Sequence, residues 1–83
     1  MKIRYYAWMR DAVGLEEEEV ELPPEIQDVR MLTRWLAGLS DRHSKAFEFV
    51  ETVKIVVNRL NAYEKTPVRD TDEVIFMPPI AGG

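Results

Sequence analysis

The residues best suited to chemistry stand at the C-terminus, where the chain ends in Gly82-Gly83. A carboxylate that follows two glycines has no side chain beside it, so it can enter a narrow channel and meet a nucleophile or a nucleotide phosphate. A carboxylate is a poor acyl donor until it is activated, for example as an acyl-adenylate, and sulfide transfer onto that acyl group gives a thiocarboxylate. The ending therefore predicts that the backbone carboxylate of Gly83 is the reactive group.

The residues before the glycines predict an extended C-terminal tail. A strand-like run over residues 73–77 stops at Pro78-Pro79, and proline has no N–H with which to continue strand pairing. The chain from Pro78 onward reaches roughly 20 Å when extended, at about 3.3–3.6 Å per residue. We therefore expect a folded domain over residues 1–77 and an extended tail over residues 78–83. The predicted tail comprises Pro78, Pro79, Ile80, Ala81, Gly82 and Gly83.

Side-chain catalysis finds no candidate in this sequence. The absence of cysteine excludes a thiol nucleophile and a thiolate metal site. We expect His43, the only histidine, to be a surface or loop residue and residues 16–19, four consecutive glutamates, to be a solvated loop or strand edge. Asp70 and Asp72 are interpreted as turn residues, because no calcium-loop pattern follows them. No metal site and no tightly bound cofactor is predicted.

Composition and charge narrow the class of protein. The chain has 83 residues, 46% of them hydrophobic, which is ordinary for one small globular domain. A net charge of -4 without a basic cluster argues against nucleic acid and anionic membrane partners. We find no run of eighteen apolar residues and no signal-peptide pattern. Zero cysteine fits a reducing compartment, so we predict a cytoplasmic protein.

Two strands are predicted in the first quarter of the chain. Apolar and polar residues alternate from Lys2 to Met9, which predicts a first strand with one buried face. Residues 10–14 are expected to form a loop in which Gly14 takes a positive φ. Residues 16–19 lead into Val20-Glu21-Leu22, where alternation predicts a short second strand that forms a hairpin with the first.

One main helix and three strands are predicted after the hairpin. Asp28 is a candidate N-cap, and the apolar spacing behind it predicts a helix to about residue 38 or 39. The sequence breaks that pattern at residues 40–44, and residues 46–50 fit either a helical turn or irregular packing. Strands are predicted at residues 54–58 and 73–77, and residues 59–63 fit a turn followed by a brief strand. This order is typical of an α+β, β-grasp (ubiquitin-like) fold, a mixed sheet of about four to five strands with one helix over one face, although the local patterns leave other α+β topologies open.

An exposed apolar patch is predicted on the open face of the sheet. If the side chains at alternate positions of the last strand face the helix, then Ile75 and Met77 face outward. Tyr6 and Trp8 would face outward from the first strand in the same way. Such clusters on a surface are typical of protein interfaces, and the alternative is that loops cover this face.

The sequence resembles a known family, the small, sulfur-carrier subunit of molybdopterin synthase. The resemblance covers essentially the whole chain, and its most specific part is the ending. Its residues are Ile3-Arg4-Tyr5-Tyr6-Ala7 with Arg10 and Val13-Gly14, Leu39-Ser40-Asp41-Arg42, Val56-Val57-Asn58, Asp72-Glu73-Val74 and Pro78-Pro79-Ile80-Ala81-Gly82-Gly83.

The resemblance implies a specific role. The terminal glycine, Gly83 here, would be adenylated by a ubiquitin-activating-like adenylyltransferase that uses ATP, and converted to a thiocarboxylate. The tail would enter the large subunit of molybdopterin synthase and deliver sulfur to cyclic pyranopterin monophosphate (precursor Z), in a heterotetramer of two small and two large subunits. The family's apolar contact surface would correspond to Tyr6, Leu60 and Met77. The chain would then not be an enzyme on its own.

Two alternatives stay open. One is another ubiquitin-like carrier with the same ending, as in thiamin biosynthesis, or a modifier that is conjugated to lysines. The other is a plain interaction module whose tail is incidental. Deletion of Gly82-Gly83 separates the second alternative from a carrier role.

Overall fold

The computed structural model describes residues 1–79, so the predictions for Ile80, Ala81, Gly82 and Gly83 lie outside the described residues. Five strands form one mixed sheet in the order β2-β1-β5-β3-β4. The strands are β1 (Lys2–Tyr5), β2 (Glu17–Glu19), β3 (Lys54–Val57), β4 (Leu60–Ala62) and β5 (Glu73–Met77). The helices are α1 (Ala7–Val13), α2 (Val29–Ala37) and α3 (Asp41–Ala46), followed by a 3₁₀ helix, Phe47–Thr52.

The strand β5 lies at the centre of the sheet. It runs parallel to β1, with Val74 beside Ile3, and antiparallel to β3, with Val74 beside Val57. All three side chains are buried, as are Tyr5 and Phe76 in the next row. Since side chains alternate along a strand, one face of the sheet carries the core, and Ile75 and Met77 belong to the other, open face.

The helix α2 confirms the prediction made for the middle of the chain. Asp28 caps it, because its carboxylate accepts a hydrogen bond from the Met31 N–H at 2.8 Å. Val29, Leu32 and Leu36 are buried against the sheet. This apolar stripe supplies most of the helix's stabilisation, because a nine-residue helix is marginal on its own propensity.

The predicted first strand is too long, and residues 7–13 are helical. Strand β1 ends at Tyr5 because its partner β5 ends at Met77, and Pro78 has no N–H to extend the ladder. The chain instead turns at Ala7, whose φ is 53°, into α1. Met9 and Val13, four residues apart, are both buried by this helix.

The positive φ predicted at Gly14 is confirmed, at 86°. Gly14 ends α1, and its N–H donates to the Arg10 carbonyl at 2.8 Å. A left-handed residue after the last helical turn is a common helix stop that favours glycine. The predicted hairpin of β1 and β2 also forms, with α1 inside its connection, but β2 lies in the acidic run, Glu17–Glu19, and not at the predicted residues 20–22.

The segment expected to interrupt helical structure contains a second helix instead. Ser40 caps α3, since its Oγ accepts from the His43 N–H at 3.1 Å. His43 and Ala46 are buried on one side of this helix. The segment left open between a helical turn and irregular packing is the 3₁₀ helix, which Phe47 anchors in the core. A Ser cap with an acidic residue in the first turn, Asp41, is the sequence signal for α3.

Candidate functional site

The root of the tail, residues 76–79, is fixed to the sheet. The Tyr6 N–H donates to the Phe76 carbonyl at 3.1 Å, which continues the β1–β5 ladder by one bond. Met77 pairs with Lys54 of β3. Pro78 is buried and Pro79 is exposed. The described part of the chain therefore leaves the sheet at its middle strand, beside α1.

The open face beside the tail root carries three of the predicted interface residues. Ile75 and Met77 project from β5, on the side away from the buried Val74 and Phe76. Tyr6 has an extended backbone (φ -123°, ψ 156°), so its side chain points away from that of Tyr5 and toward this same face. Tyr6 is 38% exposed and Met77 is 37% exposed.

Val56 joins this group, although the sequence did not single it out. It is paired with Ile75 across the β3–β5 ladder and shares its face. Arg4 is paired with Ile75 from the other side, in β1. We name Tyr6, Val56, Ile75 and Met77 the open-face patch; Arg4 and Lys54 border it in the ladder.

Trp8 and Leu60 do not lie with the patch. Trp8 is on α1 rather than on a strand, and it is 39% exposed. Leu60 is in the edge strand β4 and pairs with the buried Val57, so the register assigns it to the core-bearing face. Its side chain is 73% exposed because β4 is the edge strand. Asn61, paired with Val56, occupies the open face in β4 instead.

A buried polar network lies on the core-bearing face beneath the tail root. Glu18 Oε2 accepts hydrogen bonds from the Tyr5 hydroxyl and from His43 Nε2, both at 2.7 Å. The Ser40 hydroxyl is 2.7 Å from His43 Nδ1. A carboxylate can only accept, so Nε2 carries the hydrogen that faces Glu18.

The prediction that His43 is a surface or loop residue is therefore wrong. His43 is 7% exposed and lies inside α3. The acidic run forms the edge strand β2, one of its two predicted forms, but the side chain of Glu18 is only 16% exposed. The register explains this difference, because Glu18 pairs with the buried Ile3 and so faces the core side of the sheet. Glu17 and Glu19 remain exposed.

Tyr5 shows the electrostatic effect of this network. Burial, followed by the hydrogen bond to Glu18 and the negative charge of that carboxylate, raises the pKa of Tyr5 well above its ordinary value. All three effects disfavour the negatively charged form of Tyr5. Tyr5 therefore keeps its proton at neutral pH and donates a hydrogen bond to Glu18.

An open groove lies elsewhere on the molecule. It holds about 610 Å³ between α2, the 3₁₀ helix and the β3–β4 hairpin. Its floor is apolar and its rim is charged. The apolar lining residues are Val29, Val50, Val53, Ile55 and Ala62. It contains no residue of the tail root, so we do not associate it with chemistry at the C-terminus.

Residues 1–79 contain neither a cluster of metal ligands nor a membrane-spanning helix. No three His, Asp or Glu side chains there come together in a way that could hold a metal ion. Over the same residues, no helix is long and apolar enough to span a bilayer. The chemistry predicted for Gly83 lies outside the described residues, so it stays a prediction.

Comparisons with known proteins agree with the fold. The model of the ThiS family matches residues 3–83. The molybdopterin synthase sulfur carrier subunit of Escherichia coli K12 is 32% identical over 83 residues, which are 100% of this chain and 99% of that protein. Both matches run through the tail.

Solved structures of similar proteins have the same fold. A Pyrococcus furiosus protein assigned as molybdopterin converting factor, subunit 1, superposes with a TM-score of 0.76 and 33% identity, covering 95% of each chain. SAMP1 from Haloferax volcanii has a TM-score of 0.72 at 21% identity and covers 100% of this chain and 98% of that one, a likeness of fold alone. These similarities confirm the predicted β-grasp fold and the resemblance noted in the sequence.

Proposed function

Because the chain belongs to the ThiS family, we propose that it is the sulfur-carrier subunit of a molybdopterin synthase. The observation that carries this proposal is the full-length match, through the Gly82-Gly83 ending, to a molybdopterin synthase sulfur carrier subunit. The fold supports it, because the middle strand of the sheet leads directly into the tail. The folded domain then serves as the part that partners recognise.

The proposed chemistry takes place at the backbone carboxylate of Gly83. A carboxylate oxygen attacks the α-phosphorus of ATP, the bond to pyrophosphate breaks, and an acyl-adenylate forms. A sulfide equivalent from a sulfur donor then attacks the acyl carbon and displaces AMP, which leaves a thiocarboxylate. The activating protein is a ubiquitin-activating-like adenylyltransferase, and this chain itself binds no cofactor tightly.

Delivery of the sulfur follows in the large subunit. The tail, Pro78 to Gly83, enters that subunit, where the thiocarboxylate sulfur bonds to a carbon of precursor Z as the oxygen substituent on that carbon leaves. Water then cleaves the acyl–sulfur bond and returns the carboxylate of Gly83. Two such deliveries supply the two sulfurs of the dithiolene. We propose a heterotetramer in the cytoplasm, with the catalytic pocket on the large subunit and this chain acting as its donor.

The open-face patch is the proposed contact with these partners. It combines aromatic, aliphatic and Met side chains next to the tail root, the composition that interfaces favour. The cationic neighbours Arg4 and Lys54 flank it. A partner that covers this face meets the tail at the point where it leaves the sheet.

The first test is the intact mass of the protein purified from its native host. A carrier is expected to contain a fraction whose mass increases by the exchange of one oxygen for one sulfur, and Gly82-Gly83 deletion should abolish this fraction. A fully unmodified protein from cells that are making the cofactor would contradict the proposal. The interaction module predicts that the deletion leaves cofactor synthesis unchanged.

The second test separates molybdopterin synthesis from other carrier roles. The thiocarboxylated protein is incubated with its cognate large subunit and precursor Z, and the dithiolene product is measured. The control is the Gly83→Ala variant, which we expect to fold normally but to be a poor substrate for adenylation. A charged carrier that forms no dithiolene would favour a thiamin-type carrier or a lysine modifier, the alternative that the family match leaves available.

A further inference from the structure

We propose that Glu18 is a positioning residue for the tail root. Acting through Tyr5, its carboxylate holds the Phe76 ring and backbone in one arrangement and so sets the direction in which the tail leaves the sheet. This inference rests on the proposed function, in which that direction matters to the partner proteins. Within the described residues Glu18 is hydrogen-bonded to Tyr5 and His43 rather than to residues 76–79, so it acts on the tail root through the side chains between them.

The contacts form a short path from Glu18 to the tail root. Glu18 accepts from the Tyr5 hydroxyl at 2.7 Å. The Tyr5 ring is stacked on the Phe76 ring, with centroids 5.8 Å apart and an interplanar angle of 17°. The Phe76 carbonyl accepts from the Tyr6 N–H at 3.1 Å. The groups along this path are buried or hydrogen-bonded to one another. A displacement of Glu18 would therefore shift the Tyr5 ring, the Phe76 ring and, with it, the backbone of Phe76.

Two further rings close the cluster from the helical side. Phe47 meets the Phe76 ring edge-on, with centroids 5.0 Å apart, and meets the Tyr5 ring at 6.3 Å. The His43 ring lies 6.4 Å from that of Tyr5, also edge-on. His43 donates to the same Glu18 oxygen as Tyr5 does. Glu18 is therefore the one side chain in this cluster that is hydrogen-bonded to both β1 and α3.

The polar character of this cluster is the argument for a positioning role. An apolar side chain at residue 18 would fill the space without desolvating a carboxylate, and such replacements are often as stable or more stable. Hydrogen bonds differ from apolar contacts because they weaken steeply when their geometry is lost. A carboxylate with two buried donors thus selects one ring arrangement where apolar packing would tolerate several.

A looser tail root has a definite kinetic consequence. If only a fraction of molecules presents the tail in the competent direction, the apparent affinity for a partner falls by that fraction. Once the partner is saturated, the tail is bound in the competent state, and the chemical step proceeds as before. Loss of the Glu18 contacts should therefore raise the KM for the carrier and leave kcat unchanged.

The test compares three variants in two assays. Glu18→Ala removes the shared acceptor, and Glu18→Gln keeps an oxygen that can accept from both donors. Val29→Ala, a truncation in the core at the start of α2, is the control for general destabilisation, and urea unfolding checks that its stability matches Glu18→Ala. The assays are hydrogen exchange at the Tyr6 N–H and ATP–pyrophosphate exchange by the ubiquitin-activating-like adenylyltransferase with the full-length carrier as substrate.

Glu18→Ala is expected to exchange the Tyr6 N–H about tenfold faster than Val29→Ala, the effect of losing roughly one to two net hydrogen bonds locally. Its KM should rise several-fold at constant kcat, while Glu18→Gln stays near the wild type in both assays. Equal behaviour of Glu18→Ala and Val29→Ala in both assays would overturn the proposal.

A second variant and a second assay allow the proposal to be tested even if the first variant or the first assay fails. If Glu18→Ala does not fold, Tyr5→Phe removes one of the two donors, keeps the ring stack and should show the same pattern at smaller size. If the wild type supports no pyrophosphate exchange, the proposed carrier function fails. In that case the Tyr6 exchange rate still decides whether Glu18 positions the tail root.

Discussion

The guanidinium group of Arg42 lies directly over Gly14, and it joins two helices that are distant in sequence. Its Nε donates to the Ala12 carbonyl and its Nη2 to the Asp11 carbonyl, both at 3.1 Å. These are carbonyls of the last turn of α1, which have no partner inside that helix. A β-carbon on Gly14 would stand 2.7 Å from Arg42 Cζ, so any other residue at position 14 would displace the guanidinium group.

Gly14→Ala should destabilise the protein by roughly 2 kcal/mol, from the left-handed conformation at φ 86° and the displaced Arg42. The measurement is urea unfolding at equilibrium. Gly38→Ala is the matched control, since a β-carbon there meets only an ordinary contact, 3.5 Å from the Trp35 carbonyl. That control should be neutral or stabilising by about 0.4–1 kcal/mol. Equal effects of the two substitutions would contradict this account.

Tyr5 should make the stability of the protein fall with rising pH in the alkaline range. Its pKa is raised by burial and by Glu18, so above roughly pH 10 the unfolded chain loses this proton while the folded chain keeps it. The folded state binds more protons there, and stability from Tyr5 falls by about 1.4 kcal/mol per pH unit. Below that pH the contribution is fully present.

The check is the stability difference between the wild type and Tyr5→Phe across the alkaline range. The difference in free energy of unfolding should change by about 1.4 kcal/mol per pH unit above roughly pH 10 and be constant below that pH. Phenylalanine keeps the ring stack with Phe76, so only the hydroxyl is tested. A difference that is independent of pH throughout would show that the raised pKa of Tyr5 is wrong.

Asp70 should make the stability of the protein depend on pH in the acid range. Its Oδ1 accepts from the Leu22 N–H at 2.8 Å and lies 3.3 Å from the amino group of Met1. The hydrogen bond from Leu22, and then that from the amino group, lower the pKa of Asp70 below 3.8. Its contribution is present above the ordinary pKa and is lost as the pH falls through the lower, folded value.

Wild type should therefore exceed Asp70→Asn in urea midpoint at neutral pH, and the excess should shrink in acid. The side chain is exposed, so we expect a modest effect. Asparagine keeps one oxygen that can accept from Leu22, which isolates the charge. An excess that persists unchanged to the lowest pH at which the protein stays folded would refute this role for Asp70.

The open-face patch can be tested by charge. Met77→Asp is expected to weaken binding to the cognate large subunit roughly tenfold or more, because an unpaired carboxylate would be buried in the interface. Phe49→Asp is the control, since Phe49 is 61% exposed and lies in the 3₁₀ helix rather than on the sheet. Calorimetry measures both affinities. If both variants bind alike, the patch is not the contact surface.

The sequence predicted α2 and two central strands, because these elements are determined by residues within their own segments. Asp28 and the spacing of Val29, Leu32 and Leu36 predicted α2 because capping and the 3.6-residue period act within one segment. The β-branched run 54–57 and the run 73–77 predicted two central strands for the same reason. Leu39, expected on the helical stripe, lies past the end of α2 and is exposed.

The errors arise where a distant residue decides the structure. Alternation up to Met9 fits a strand, but Met9 and Val13 also fit a helix, and only the end of β5 at Met77 excludes the longer strand. His43 is buried because Glu18, twenty-five residues earlier, is its partner. No pattern around His43 contains that information. The Ser40 cap was the one local signal available for α3.

The position of β5 also bears on biosynthesis. Its neighbours in the sheet are the first strand of the chain and a strand that precedes it by about twenty residues, with Lys2 beside Glu73 and Val57 beside Val74. A nascent chain that has not yet passed residue 77 lacks the strand between them, and its two sheet halves have nothing to join them. Synthesis must therefore pass residue 77 before the domain closes, so a product that stops earlier lacks the strand that unites the two halves of the sheet.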